Sequence, residues 1–530
     1  MKPSRDYLAA RVPYSRSLRK TPLEENSTGA TVCRGKIASL KAHVTFEARL
    51  WIMLAAGILL FPGSVRADYW MTNQPSTQWG TWDGWGCSLS WWANVDAFGT
   101  NQLMANLLFS TNYISYQGAN VPGLGYRIVR YNLGAESTNY VGTAHMSVTT
   151  NLTQWPYRQI TGYWTNWYST DPASSSWSWW FDSNQRNMMW LARDRGANLF
   201  ELVSYSPMWW MCYNLDPCGA DNGANDNLQS WNYDQHAIYL ATVAAYAHSN
   251  WGVNFSYVEA FNEPSATWWV GTGDQEGCHF ATATQTSVIG YLRTELDNRG
   301  LTWMGVAASD EYSFTQAQTT WQNFNSTAQS KIAKVNVHGY DRYNNTAKSA
   351  LYAALGGKKI WQSEYNDNDT NGVTLAYTIN ADMTYLHPTG WCYWQPYDWS
   401  SVGLIEANPL QGIIDRVWPK YYVMAQYSRH IKPGMKIITS GDANTAAAYD
   451  STNHKVVLVT QNWATAQYIG YDLTKFSIAN GALTRWQTDT GGTGERYQQH
   501  NDLTWNQTKR FWVWFPANSV ITIEAQNVYQ

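Results

Sequence analysis

Tyr257-Val258-Glu259-Ala260-Phe261-Asn262-Glu263-Pro264 is the stretch on which the reading of the fold turns. The apolar run from Phe255 to Phe261 predicts a short buried strand. Pro264 has no N–H for a ladder and a fixed φ, so the strand stops there. Asn262 and Glu263 are thereby placed at a strand's carboxyl end, where α/β barrels carry their chemistry. Lys359-Ile360-Trp361-Gln362-Ser363-Glu364-Tyr365 repeats the pattern: an apolar run that ends in a glutamate.

Outward from these two segments, apolar strands alternate with helical periodicity. Strands are predicted within 82–92, 125–132, 198–204, 302–308, 334–340 and 390–395. Helices are predicted near 184–195, 234–248, 284–298, 315–323, 348–355 and 373–386. With the two opening strands this makes eight, the pattern of a (β/α)8 TIM barrel, an α/β fold. After about Tyr427 the texture changes to short β-prone runs separated by turn residues, which predicts an attached antiparallel β-sandwich. The expected organisation is a leader over 1–67, a catalytic barrel over 82–412 and a sandwich over 413–530, with 68–81 adding a strand to the sandwich.

Composition narrows the function. Of the 530 residues 14% are charged and 15% aromatic, with 32 Trp, too much large apolar surface for a disordered chain. Residues 1–67 hold 11 Lys/Arg and 4 Asp/Glu, leaving 25 basic and 35 acidic residues on the body. An acidic body has no long-range attraction for nucleic acid or anionic membrane, so a neutral ligand is favoured. The basic leader carries the apolar run Leu50–Phe61 and then Val65-Arg66-Ala67, the signature of a signal peptide. The mature protein is therefore expected to be secreted, monomeric and free of membrane. The sequons at Asn151, Asn254, Asn325, Asn344, Asn368 and Asn506 suit an extracellular glycoprotein.

Two carboxyls on strand ends are what cleavage of a glycosidic bond requires. In a retaining reaction one carboxyl protonates the leaving oxygen and the other attacks the anomeric carbon. Glu263 is expected as acid/base and Glu364 as nucleophile. Asp310 and Glu311, on another strand end, are the rival pair. The strand ends also offer Arg130, Asn132, Asn262, His338, Tyr340, Tyr365 and Trp394. Arg or Tyr can hold a nucleophile ionised, Asn262 can bind a sugar hydroxyl, and His338 is expected in a supporting role. Trp209, Trp210, Trp268, Trp269 and Trp399 fall on loops after strands, where some indoles stack on sugar rings and others pack beneath the loops. Glu201 and Glu259 lie within strands and suit hydrogen bonding inside the barrel. No cofactor and no metal is expected: there is no glycine-rich phosphate loop, no Gly-x-Ser-x-Gly and no cysteine/histidine spacing for zinc.

Taken together, Arg130-Tyr131-Asn132-Leu133-Gly134, Ser206-Pro207-Met208-Trp209-Trp210-Met211, Asn262-Glu263-Pro264, His338-Gly339-Tyr340, Ser363-Glu364-Tyr365 and Arg429-His430-Ile431-Lys432-Pro433-Gly434 resemble glycoside hydrolase family 30. Gln275-Glu276-Gly277-Cys278-His279-Phe280 and Ala307-Ala308-Ser309-Asp310-Glu311 look like the fungal endo-β-1,6-galactanases within it. The resemblance runs from about Trp79 to the C-terminus. It implies a barrel with a tightly attached β-sandwich, a retaining mechanism with Glu263 as acid/base and Glu364 as nucleophile, and a polysaccharide substrate, the β-1,6-linked galactan of arabinogalactan proteins. The alternatives are another family 30 activity (β-1,6-glucanase, xylanase or exo-acting β-glycosidase) or a binding protein that has lost activity.

The chain departs from the family pattern at Ala135, where many members have a glycine, and at Cys87, Cys218 and Cys392. Cys87 and Cys392 fall on the first and eighth strands, neighbours in a closed barrel, and are expected to pair. Cys212 is expected to pair with Cys278, leaving Cys218 over.

Overall fold

The computed structural model describes residues 67–491 and 493–530; the apolar run of the leader lies outside them. Eight parallel strands close into a barrel in sequential order. They are β1 (Gly84–Ser88), β2 (Ile128–Asn132), β3 (Leu199–Val203), β4 (Phe255–Glu259), β5 (Gly305–Ala307), β6 (Ile332–Val337), β7 (Lys359–Gln362) and β8 (Gly390–Tyr393). Each is followed by a helix that covers it: α1 (Gln102–Phe109), α2 (Ser183–Asp194), α3 (Tyr233–Tyr246), α4 (Thr282–Asn298), α5 (Phe314–Asn323), α6 (Asn345–Leu355), α7 (Val373–Ala381) and α8 (Pro419–Ser428). The sequence reading of the barrel holds.

Local signals set the helix ends. The Asn101, Ser313 and Asn344 side chains accept from the backbone N–H groups of Met104, Gln316 and Ala347, satisfying first-turn donors that have no partner within the helix. Helix α6 stops at Gly356, whose φ of +57° a side chain would resist. Strand β1 needs Gly86, because a Cβ there would lie 2.1 Å from the Ile128 carbonyl oxygen on β2.

The barrel interior is charged above an apolar floor. Ile128, Trp361 and Cys392 cluster there, with Leu199 and Tyr257 packed against them. Over that floor the Lys334 ammonium sits 3.4 Å from the Trp361 ring centroid and pairs with Glu201. Asn336 donates to Glu201 Oε1 at 2.8 Å. Glu201 and Glu259 thus take the interior places their sequence positions suggest.

The C-terminal part is a sandwich. A seven-stranded sheet faces a three-stranded one over a core that includes Tyr449, Leu458, Tyr471, Phe511 and Ile523. Tyr69–Thr72 joins the smaller sheet and Gln74–Thr81 the larger. Helix α8, beyond the 412/413 boundary read from the sequence, belongs to both bodies: the Gln426 amide donates to Thr488 Oγ1 at 2.8 Å and accepts from Thr522 Oγ1 at 2.6 Å. The segment Arg429–Gly434 continues this seam. The Trp85 indole N–H donates to the Ile431 carbonyl at 2.9 Å, and His430 lies 2.9 Å from Glu524.

All five cysteines of the body are buried free thiols, so the expected disulfides are not formed. The β8–β1 register pairs Cys392 with Gly86 and Cys87 with Tyr393. The two cysteines are therefore one residue out of step, and the pleat sends them to opposite faces. Cys392 packs on the barrel floor and Cys87 in the layer between barrel and helices. Cys212 and Cys278 each direct their sulfur to backbone carbonyls, of Pro207 and Met208 and of His279 respectively.

Candidate active site

Glu263 and Glu364 converge at the carboxyl ends of β4 and β7. One carboxylate oxygen of each and a ring nitrogen of His338 all lie within 4.8 Å of one another. Glu263 adopts φ +48°, a left-handed conformation costing a non-glycine residue about 1–2 kcal/mol. Three hydrogen bonds hold its backbone there: its N–H donates to the Asp310 carbonyl at 2.9 Å, and its carbonyl accepts from the Ala266 N–H at 3.0 Å and the Trp269 indole N–H at 3.1 Å. The glutamate is thereby aimed by loop structure that closes on it from two sides.

His338 bridges the site. Its Nδ1 lies 3.0 Å from Glu263 Oε1 and 3.2 Å from Glu364 Oε1, while Nε2 lies 3.1 Å from Asp310 Oδ2. The Nε2 contact is electrostatic, since it lacks hydrogen-bond geometry. Burial works against a charge on this ring, but Glu364 and Asp310 outweigh it and raise the imidazole well above its ordinary range. A charged imidazole between two carboxylates can hold and pass a proton.

The two glutamates have unequal surroundings. Glu364 Oε1 accepts from the Tyr340 hydroxyl at 2.7 Å and faces His338, while the Arg130 guanidinium lies 3.7 Å from Oε2. Among the described residues, Glu263 faces only His338 among charged donors. Glu364 is raised to about 7: burial pushes it up most, with Glu263 and Asp310 adding to that, while His338 and Arg130 pull it down. Burial and Glu364 also raise Tyr340 well above its usual range, which keeps its hydroxyl a donor. The Tyr340 hydrogen bond and the His338 and Arg130 charges nearby favour the ionised form of Glu364, against its burial.

The other predicted residues divide by exposure. Arg130, Asn132, His338, Tyr365 and Trp209, all expected to bind substrate, are fully buried and bond to protein groups. Arg130 pairs with Glu201 at 2.9 Å and with Asp310 at 2.5 Å, linking the barrel interior to the site. The Asn132 amide donates to Glu276 at 3.1 Å, Trp209 donates to Ser137 Oγ at 2.7 Å, and the Tyr365 hydroxyl donates to Asp367. Asn262, Tyr340 and Trp394 keep some surface. Asn262 Oδ1 is buried without a protein partner, as an acceptor reserved for a ligand hydroxyl would be.

The rival pair takes other work. Glu311 is buried and accepts from Ser265 Oγ and Thr320 Oγ1, both at 2.7 Å. Asp310 has no exposed surface and joins Arg130, His338 and Ser363. Glu276, missed as a functional residue by sequence reasoning, is buried beside Asn132 and accepts from the Ala135 N–H at 2.8 Å. Glu136 lies near it, buried with neither carboxylate oxygen hydrogen bonded. The only sequence signal for this pair was acidic residues in otherwise apolar or glycine-containing loops.

A closed barrel with paired glutamates on β4 and β7 is the architecture of a glycoside hydrolase. Comparison with known proteins agrees. Residues 62–335 match the family model of O-Glycosyl hydrolase family 30. An Endo-beta-1,6-galactanase of Hypocrea rufa is 46% identical over 482 residues, covering 90% of this chain and 98% of that protein. Solved structures share the fold, two of them as follows. One is a conserved exported protein from Bacteroides fragilis (TM-score 0.70, 16% identity, 86% of this chain, 100% of the other). The second is the catalytic domain of GH30 xylanase C from Talaromyces cellulolyticus (TM-score 0.65, 19% identity, 87% and 100%). The chain belongs to glycoside hydrolase family 30 and is an O-glycosyl hydrolase.

Proposed function

We propose that this enzyme is a secreted, retaining endo-β-1,6-galactanase that cuts the β-1,6-galactan side chains of arabinogalactan proteins. Glu364, ionised and aligned by Tyr340, His338 and Arg130, attacks the anomeric carbon. Glu263 protonates the departing oxygen in the same step, leaving a covalent glycosyl–enzyme. Glu263 then takes a proton from water as the water displaces Glu364, and the β configuration is restored. The observation that carries the mechanism is the approach of the two carboxylate oxygens within 4.8 Å. Inverting enzymes hold their carboxyls about 6.5–9.5 Å apart to admit water, whereas retaining ones hold them about 5–5.5 Å apart.

The substrate reading rests on the 46% identity to the Hypocrea rufa protein over 482 residues, 90% of this chain. Secretion is supported by the leader and by sequon asparagines Asn254, Asn325, Asn344, Asn368 and Asn506, all exposed. Among the described residues no helix is long and apolar enough to cross a membrane.

The test is hydrolysis of de-arabinosylated arabinogalactan, β-1,6-glucan and xylan, with the anomeric form of the first product followed by NMR. Release from the galactan with an initial β-anomer is expected. Cleavage of glucan but not galactan overturns the substrate, and an initial α-anomer overturns retention.

A further inference from the structure

The loops after β1, β2, β4 and β8 meet in an aromatic run that the catalytic glutamates do not touch. It begins beside Glu364: the Trp394 N–H donates to the carbonyl of Tyr365 at 2.7 Å. The Trp394 ring meets Trp91 edge-on, centroids 5.1 Å apart. The Arg158 guanidinium lies 4.3 Å from the Trp91 centroid and 5.3 Å from that of Trp155, held between two indoles. Trp155 in turn lies 5.3 Å from Trp399 at a tilt of 38°. Trp91 and Trp394 are buried, Trp155 is half-buried and Trp399 is 50% exposed, so the run surfaces at the rim.

Its polar edge is equally defined. Arg158 donates to Asp274 Oδ2 at 2.8 Å, and Asp274 keeps part of its carboxylate in solvent. Arg158 Nε is buried without a partner. The guanidinium fixes Trp155 from behind by attraction to both ring faces. Two adjacent indoles with a carboxylate beside them suit a pyranose, whose C–H face stacks on a ring while its hydroxyls reach the rim. The charge is already paired, which favours a neutral sugar over an anionic one.

We propose that Trp155 and Trp399, with Asp274 at the edge and Arg158 wedged behind, form a subsite for a neutral hexopyranosyl unit of the glycan outside the linkage being cut. A chain held there presents an internal bond to Glu263 and Glu364, which makes the action endo. This deepens the galactanase reading and rests on it for the course of the chain across the two glutamates.

The test compares kcat/KM on β-1,6-galactohexaose and β-1,6-galactotriose for the parent enzyme and for Trp399→Ala, Trp155→Ala and Trp514→Ala. Trp514 is an exposed indole on the outer sheet of the sandwich, paired with Tyr468, and serves as the control. The hexaose-to-triose ratio is expected to fall at least about tenfold in the Trp399 and Trp155 variants and to stay at the parent value in the control. Trp399→Phe, which keeps a ring, is expected to recover part of the ratio. An unchanged ratio in Trp399→Ala, with melting temperature intact, overturns the subsite. If the parent enzyme cleaves only β-1,6-gluco-oligosaccharides, the galactan reading fails, and the same ratio on that series decides the subsite by itself.

Discussion

Asp310 Oδ2 lies 3.1 Å from His338 Nε2, on the far side of the imidazole from the two catalytic glutamates. The Asp310 carboxylate is itself held well below its ordinary range, with Arg130 and His338 outweighing its burial. It stays ionised and keeps the ring charged. Asp310 is thus a positioning residue that acts through His338. Asp310→Asn retains the shape and removes the charge, so His338 loses its proton at lower pH. The basic limb of the kcat/KM profile is expected to move to lower pH, with kcat reduced roughly tenfold to a hundredfold. A pH titration of kcat/KM checks this; an unmoved limb rules out the coupling.

The unequal roles of the glutamates have distinct chemical signatures. Glu364→Ala is expected to lower turnover by at least about a thousandfold while substrate binding persists. Azide entering the vacated space attacks once and yields an α-glycosyl azide. In Glu263→Ala an activated aryl leaving group needs no proton, so the covalent intermediate still forms and azide yields a β-glycosyl azide. NMR of the two products settles the assignment, and identical configurations refute it.

Lys334 is expected to be a stability residue. Its ammonium is wholly buried, pairs with Glu201 and donates to Asn336 Oδ1 at 2.7 Å. Lys334→Ala leaves Glu201 with an uncompensated share of buried charge, at a cost of about 3–5 kcal/mol. Calorimetry shows this as a lowered melting temperature. An unchanged value means that Arg130 suffices for Glu201.

Stability is expected to decline from mildly acidic to alkaline pH. Glu276 is raised to about 8, by burial and then by Asp182 against hydrogen bonds from Ala135 and Asn132. Glu136 is raised by burial and by Glu276 and Asp216, and Asp216 is raised to about 6 by its own burial. Cys218, which faces this group, is raised as well. Between pH 4.5 and 8 the folded protein holds protons that the unfolded chain has released. The stabilisation is therefore full below the unfolded carboxyl range and is lost as pH rises through about 8. His236, His387 and His430, lowered to about 4 by burial, act oppositely: they cost stability as pH falls from 6.5 toward 4. Melting temperatures across this range should peak on the acidic side of neutrality. Glu276→Gln flattens the alkaline decline, and an equally steep decline in that variant excludes Glu276 as its source.

The cysteines give a direct chemical check. Cys87 and Cys392 point to opposite sides of the barrel wall, so each is expected to take one alkylating label after unfolding without reductant. A Cys87–Cys392 linked peptide in a non-reduced digest contradicts the register.

The barrel was legible because its signal is local. Phe255 to Phe261 and Lys359 to Gln362 are apolar runs with abrupt ends, and the same alternation repeats through eight strands. The helices over 282–298 and 314–323 came within a few residues for the same reason, while α1 and α8 went unmarked. α8 is buried along nearly its whole length, so it carries little of the one-sided apolar pattern that marks a surface helix. Asp310 and Arg130 could be placed on strand ends, but not in their partnership. Residues 180 positions apart meet only through barrel closure.

By itself, then, the order of residues determined eight strand ends and put Glu263 and Glu364 on two of them, since strand length, proline punctuation and apolar periodicity are properties of neighbours along the chain. Tertiary structure alone decided which groups surround those glutamates. It buried Arg130, Asn132 and Tyr365 as supports, set His338 between three carboxylates, turned Cys87 and Cys392 apart and brought Arg158 between Trp91 and Trp155. The reason is geometric: barrel closure fixes the register between strands, register fixes the face each side chain takes, and a shift of one residue reverses it.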